Sequence, residues 1–225
     1  MRRLLLAAAC LALGSTAAAG GSSSPVEALV VPTGSAPCGM AVAERALWIG
    51  VYETGRLLRV APETGRVTRR ISVGAWACRV AITRGAAWVT RDRAGVLARV
   101  DLRTGRRREI AVGASPFDVI AADGSIWTTS YDSGAIARID PRRGAIVRVF
   151  NDGANPAGLA WCAGRVWVGH GRSATWLTAI DPTTLRSRRV PVGAATPGWP
   201  TCIGGVVWVT TSPVDSFTSL TVGGE

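Results

Sequence analysis

Five tryptophans recur along this chain at an almost constant interval. Trp48, Trp88, Trp127, Trp167 and Trp208 are separated by 40, 39, 40 and 41 residues, and a period of that size marks a repeat architecture. Each sits in a short apolar run: Leu47-Trp48-Ile49, Ala87-Trp88-Val89, Ile126-Trp127-Thr128, Val166-Trp167-Val168 and Val207-Trp208-Val209. A second run then closes on a turn, at Leu57 to Pro62, Leu97 to Leu102, Ile136 to Pro141 and Leu177 to Pro182, with Asp101, Asp140 and Asp181 opening their turns. An Arg-bearing run follows and ends at Gly74, Gly113, Gly153 or Gly193. The last piece is a short apolar segment such as Met40 to Ala43, Val80 to Thr83, Val119 to Ala122 or Leu159 to Cys162. Four short strands per repeat, punctuated by Gly, Pro, Asp and Asn, predict an all-β chain folded as a β-propeller of four-stranded blades. No segment carries apolar residues at helical spacing over three turns, so helical repeats of similar period are excluded. The large flat Trp side chain is expected to fill the space between neighbouring sheets.

The ends bear on how such a ring closes. Four repeats are complete, and the fifth runs out after Ser219 to Val222. Near the start, Ala28-Leu29-Val30-Val31-Pro32-Thr33-Gly34 matches the outer-strand pattern of Arg189-Val190-Pro191-Val192-Gly193. That match predicts five blades closed by an N-terminal strand, with Val30 beside Leu220, which removes open sheet edges. A truncated longer propeller is the competing expectation. Upstream, Arg2 and Arg3, the apolar Leu4 to Leu13 and the small Ala17-Ala18-Ala19 read as a secretory signal over residues 1–19. Residues 20–27 read as a flexible linker and 28–225 as the propeller domain, with no transmembrane segment in the mature chain and a lipid anchor at Cys10 the less favoured reading. The protein is thus expected in the secreted or cell-envelope compartment.

Charge and cysteines refine this. The net charge is +11, and every basic residue is Arg. Many of these, among them Arg69, Arg70, Arg107, Arg108, Arg142, Arg143, Arg188 and Arg189, fall on the third-to-fourth-strand hairpins, which predicts a basic belt around the ring. Such a belt attracts acidic polymers, and it also protects exposed edge strands from pairing. No stacking aromatics accompany it, so nucleic acid is not an expected partner. Beyond the signal remain Cys38, Cys78, Cys162 and Cys202, an even number in an exported chain, which favours disulfides. Cys38 and Cys78 hold one repeat position in adjacent blades, and Cys162 and Cys202 share another, so 38–78 with 162–202 is the first expectation and a four-cysteine metal site a poor second.

The repeat resembles the bacterial propellers grouped with virginiamycin B lyase and the related YVTN-type repeats. The resemblance is carried by Ala46-Leu47-Trp48-Ile49, by Leu58-Arg59-Val60-Ala61-Pro62-Glu63-Thr64-Gly65-Arg66-Val67 and by Ile71-Ser72-Val73-Gly74. It implies the fold strongly and the activity weakly, because the repeated residues are structural. The lyase would bring a His and Glu cluster with magnesium, whereas this chain has one histidine, His170. The expected function is therefore an extracytoplasmic ligand- or partner-binding module without catalysis, with a lyase or hydrolase centred on His170 as the alternative. Magnesium or calcium enters only through the resemblance, and no cofactor or metal is otherwise expected.

Variable chemistry in a propeller lies on the loops joining strands two and three and on those leading into the next blade. These loops are expected to gather Tyr52, Glu53, Arg79, Arg91, Asp92, Asp118, Tyr131, Asp132, His170, Arg172 and Trp199 around one mouth. Mixed charge with aromatics suits a small polar molecule, a glycan or a segment of an envelope protein. His170, the one side chain of ordinary near-neutral pKa, is the candidate general base if there is chemistry. Glu53, Asp118 and Asp132 are the carboxylates that could hold a hard cation.

Overall fold

A computed structural model describes residues 29–172, 174–193, 196–212 and 216–221, the last of these by its backbone. The expected signal at 1–19 and linker at 20–27 lie outside the described residues.

The strands fall into five antiparallel sheets, four of them four-stranded and the fifth three-stranded. Blade 1 holds β1 (Pro37–Ala43), β2 (Ala46–Val51), β3 (Arg56–Val60) and β4 (Val67–Ser72). Blade 2 holds β5 (Ala77–Thr83), β6 (Ala86–Arg91), β7 (Val96–Asp101) and β8 (Arg107–Ala111). Blade 3 holds β9 (Pro116–Ala122), β10 (Ser125–Ser130), β11 (Ala135–Asp140) and β12 (Ala145–Asn151). Blade 4 holds β13 (Asn155–Cys162), β14 (Arg165–Gly171), β15 (Trp176–Ile180) and β16 (Ser187–Pro191). Blade 5 holds β17 (Thr196–Ile203), β18 (Val206–Ser212) and β19 (Ser216–Thr221). Helix among the described residues is limited to one 3-10 turn, Asp92–Ala94, and none is long and apolar enough to cross a membrane.

The first strands pack side by side, β1 on β5, β5 on β9, β9 on β13 and β13 on β17, so they line the axis. Second and third strands are buried, and fourth strands face outward. Four of the five repeated Trp side chains do what their spacing predicts, and Trp208 stays 38% exposed. Trp48 packs with Ala77, Val80 and Val89 of blade 2, and Trp88 with Val119, Ile126 and Ile139 of blade 3. Trp127 packs with Leu159, Val166 and Ile180 of blade 4, and Trp167 with Val207 and Val209 of blade 5. Registry also puts an arginine opposite three of these rings, with Arg59 over Trp48 at 6.0 Å, Arg99 over Trp88 at 5.7 Å and Arg138 over Trp127 at 5.5 Å. These are cation–π distances; in blade 4 Ala179 faces Trp167 instead.

The turn aspartates serve as expected. Asp101 accepts the backbone N–H groups of Arg103 and Thr104, Asp140 those of Arg142 and Arg143, and Asp181 those of Thr183 and Thr184. These N–H bonds hold all three carboxyls below the usual carboxylate range. Both expected disulfides form, Cys38–Cys78 with Cα atoms 4.8 Å apart and Cys162–Cys202 with 5.4 Å. Each staples the first strands of adjacent blades.

The closing strand is a correction. Leu29 to Gly34 forms no strand, Val30 does not pair with Leu220, and the fifth sheet keeps three strands among the described residues. The segment instead finds apolar cover on blade 1, where Val31 packs on Val51, Leu58 and Val60. Leu29 and Val31 lie so close over Gly65 that a Cβ there would come within 2.7 Å of Leu29 Cδ2. Val31 gains this apolar cover while Leu29, 58% exposed, and Val30, 86% exposed, stay largely in solvent.

Candidate functional site

The mouth is built by hydrogen bonds between the loops entering blades 2, 3 and 4 and the ends of second strands, those of the same blade or of the preceding one. Trp76 N–H donates to Tyr52 O at 2.7 Å, Asp92 N–H to Trp76 O at 3.3 Å, and Tyr131 N–H to Ser115 O at 2.8 Å. Asn155 Nδ2 donates to Tyr131 O at 2.9 Å. These bonds bring side chains from separate blades to one rim.

Five of those side chains form a continuous ribbon across the axis. The Arg172 guanidinium lies 5.6 Å from the Tyr131 ring, Tyr131 lies 5.2 Å from Phe117, Phe117 stacks on Trp199 at 5.4 Å, and the Arg79 guanidinium lies 4.4 Å from the Trp199 ring. Blades 4, 3, 5 and 2 all contribute, so π faces are capped at both ends by cations. The close approach depends on missing side chains. A Cβ on Gly158 would come within 2.8 Å of the Trp199 ring, and one on Gly171 within 2.2 Å of the Tyr131 hydroxyl.

Beside the ribbon sits Asp118. Its Oδ2 accepts Leu159 N–H at 2.8 Å across the blade boundary and its Oδ1 accepts Val119 N–H at 2.9 Å. Burial pushes its carboxyl up to about 6, against the pull of those two N–H groups and of Arg79. Asp132 accepts from Ser115 Oγ and meets Arg172 at 3.5 Å.

Other expected mouth residues are used differently. Tyr52 donates to Asp92 at 3.0 Å, tying blade 1 to blade 2, and burial and then Asp92 raise its phenol pKa. Arg91 turns outward, donating from Nε to Ala75 O at 3.1 Å and pairing with Glu109 on the outer strand. Glu53 stays exposed in its turn. Among the described residues no three His, Cys, Asp or Glu side chains are grouped to hold a metal ion.

His170 is fully enclosed, which corrects its placement as an open base at the rim. Its Nε2 lies 2.9 Å from Thr178 Oγ1 and 3.1 Å from Asp152 Oδ2, and Thr178 Oγ1 donates to the same Asp152 oxygen. Burial pushes the Asp152 carboxyl up, but hydrogen bonds from His170 and Thr178 and the charge of the imidazole outweigh it and hold it below the usual range. The sequence reading missed Asp152 and Thr178, although a signal existed. Asp152 directly follows the outer strand of blade 3, where Val73, Val112 and Val192 follow those of blades 1, 2 and 4, and where blade 4 has Thr178 the registry gives Leu58, Ala98 and Ala137. Phe117 was also missed, since one aromatic beside Asp118 says little without the fold.

Between blades 4 and 5 at this rim lies a cleft of about 440 Å³, lined by His170, Arg172, Thr196, Trp199, Thr210 and Ser212 among others. The basic belt is partly spent on structure. Arg69 donates to the carbonyls of Leu102 and Arg103, and Arg108 to that of Arg143, each reaching the next blade.

No protein-family model matches the chain, and no curated protein matches it. Solved structures do. The chain is similar to the Kuenenia stuttgartiensis hydrazine synthase, at 17% identity and TM-score 0.68, over 84% of this chain and 63% of that one. It is similar to a chain of the mitotic checkpoint complex at 12% identity and TM-score 0.73, covering 82% and 60% of the two chains. The WD40 repeats of RRP9 match at 9% identity and TM-score 0.68, over 77% and 57%. The chain thus spans about three fifths of the length of the solved structures it matches. At these identities the likeness establishes one thing, the β-propeller fold.

Proposed function

We propose that this protein is an extracytoplasmic binding module that holds a small polar ligand at the mouth of the propeller, between blades 4 and 5. The observation that carries the reading is the ribbon Arg172–Tyr131–Phe117–Trp199–Arg79, which ends at a cleft of about 440 Å³. That volume suits a small ligand, and convergent polar groups beside aromatics are what such sites use. The two disulfides and the apolar leader support an oxidising compartment. Within this reading the repeat is of the virginiamycin B lyase-like or YVTN type, on the pattern of Leu58 to Val67 and Ile71 to Gly74. Binding is favoured over catalysis because the enclosed His170 spends its Nε2 on Thr178 and Asp152. An acidic polymer or envelope protein on the remaining exposed arginines is a weaker reading, supported by charge alone.

The test is a thermal-shift screen of small glycans, peptides and organic acids against wild type and Trp199→Ala. A ligand at a hundred times its Kd adds about 2.7 kcal/mol to stability, so a true ligand raises the wild-type Tm and leaves the variant unmoved. A wild type that answers nothing in the screen, or a variant that responds equally, would remove the mouth as the binding site.

A further inference from the structure

The chemistry of the cleft between blades 4 and 5 narrows the ligand further, on the reading that this rim binds one. The lining gives the first constraint. It offers the Trp199 ring, the Arg172 guanidinium, the hydroxyls of Thr196, Thr210 and Ser212, and His170. Among the described lining residues there is no carboxylate and no aliphatic side chain larger than that of threonine. Among these residues a cationic ligand finds no counter-charge and a lipid tail no apolar wall.

The second constraint is what His170 withholds. It is enclosed, its Nε2 lies against Thr178 and Asp152, and its Nδ1 is buried, so it backs the cleft and offers a ligand no contact. The polar contacts therefore fall to the hydroxyls of Thr196, Thr210 and Ser212 and to Arg172.

The third constraint is Arg172. Its side chain is 67% exposed and is held by one long ion pair to Asp132, at 3.5 Å, and by its stack on Tyr131. Most of its fork of N–H donors is left to face the cleft rim, and that fork matches a carboxylate. The flat Trp199 ring beside it suits the C–H face of a saturated ring. We infer that the cleft takes a hydroxyl-bearing carboxylate of the sugar-acid class, with its carboxylate on Arg172, its ring face on Trp199 and its hydroxyls on the threonine and serine hydroxyls.

Calorimetric titration of the full chain tests this with three probes: glucuronate, glucose and benzoate. Glucuronate is expected to bind at least about tenfold more tightly than either of the others, since glucose lacks the charge and benzoate the hydroxyls. Arg172→Gln should bring glucuronate down to the level of glucose, and Trp199→Ala should abolish binding of both sugars. Both side chains are partly or largely exposed, and the circular dichroism of each variant checks its fold. If Trp199→Ala disturbs the fold, Trp199→Phe, which keeps a ring on Phe117, should weaken glucuronate without abolishing it. Equal affinity for glucose and glucuronate, an unchanged preference in Arg172→Gln, benzoate as tight as glucuronate, or no binding of any probe each overturns the sugar-acid assignment. If a different compound shifts wild type but not Trp199→Ala in the thermal screen, the ligand class falls while the mouth stands as a binding site. If nothing does, both fall.

Discussion

Asp118 is under two opposing pressures. Burial raises its carboxyl to about 6, while backbone N–H groups from Leu159 and Val119 and the charge of Arg79 favour the ionised form. A folded-state pKa above the unfolded value means that protonation favours the fold. The contribution is complete below the unfolded value and is lost as pH rises through about 6. Asp152 has the opposite sign: held low, it stabilises at neutral pH and loses that only in acid, below the ordinary carboxylate range. The two windows do not overlap, so of these two carboxyls it is Asp118 that acts on the slope between pH 5 and 7.5. Urea denaturation should show wild type more stable at pH 5 than at pH 7.5 by about 1–2 kcal/mol, a figure below the full shift because pH 5 lies above the unfolded value and so catches only part of the window. Asp118→Asn should flatten that slope. A variant with the wild-type slope would show that some other group sets it.

Blade 4 is the element in which the repeat departs most from its own pattern. Its His170 and Thr178 occupy positions where blade 1 has Val51 and Leu58, and Asp152, which follows the outer strand of blade 3 and pairs with them, stands where blade 1 has Val73, all three of these apolar residues being buried. A polar set of this kind is stable when complete and harmful when broken, because each survivor is left desolvated and unpaired. Asp152→Val alone should therefore destabilise the protein by about 2–4 kcal/mol. The triple variant Asp152→Val, His170→Val and Thr178→Leu, which installs the apolar residues that blade 1 carries at these three repeat positions, should recover most of that loss in chemical denaturation. A triple variant no better than the single one would mean that the set is needed for more than its own pairing. These departures also show what was legible in the sequence. The Trp period, the turn aspartates and the cysteine positions each repeat, so a pattern announces them and the structure agrees. Arg79, Asp118, Tyr131, Arg172 and Trp199 were readable as rim residues, because strand order alone assigns loops to one face. The direction of each side chain was not readable. Arg91 reaches out to Glu109, His170 turns inward to Asp152, and Tyr52 pairs with Asp92, and those choices depend on neighbours 18 to 40 residues away.

Across the whole molecule, stability should follow how many sides of each blade are covered. Blades 2, 3 and 4 have a sheet on both faces, and blade 1 has blade 2 on one face and the Leu29–Val31 segment on the other. Among the described residues blade 5 has one sheet against its face, that of blade 4, while its Trp199 side chain reaches over the axis to Phe117 and Arg79, and the position that is buried in the first four blades is open there. Trp208 is 38% exposed, against 0–1% for Trp48, Trp88, Trp127 and Trp167. In a repeat array, stability is roughly the sum of the units and their interfaces, so the unit with one interface opens first. Amide exchange should therefore be fastest in β17, β18 and β19 and slowest in β6 and β10, with the Cys162–Cys202 bridge keeping the β17 strand attached as the sheet opens. The tryptophans give the same prediction in energy. Trp127→Ala removes a ring enclosed by two sheets and should lower stability by about 3–5 kcal/mol. Trp208→Ala removes one that keeps solvent on one side, and its cost should be no more than about half of that. Equal losses for the two substitutions, or protection in blade 5 matching that of blade 3, would mean that the Trp208 face is covered in solution and that the molecule there is a larger assembly than one chain.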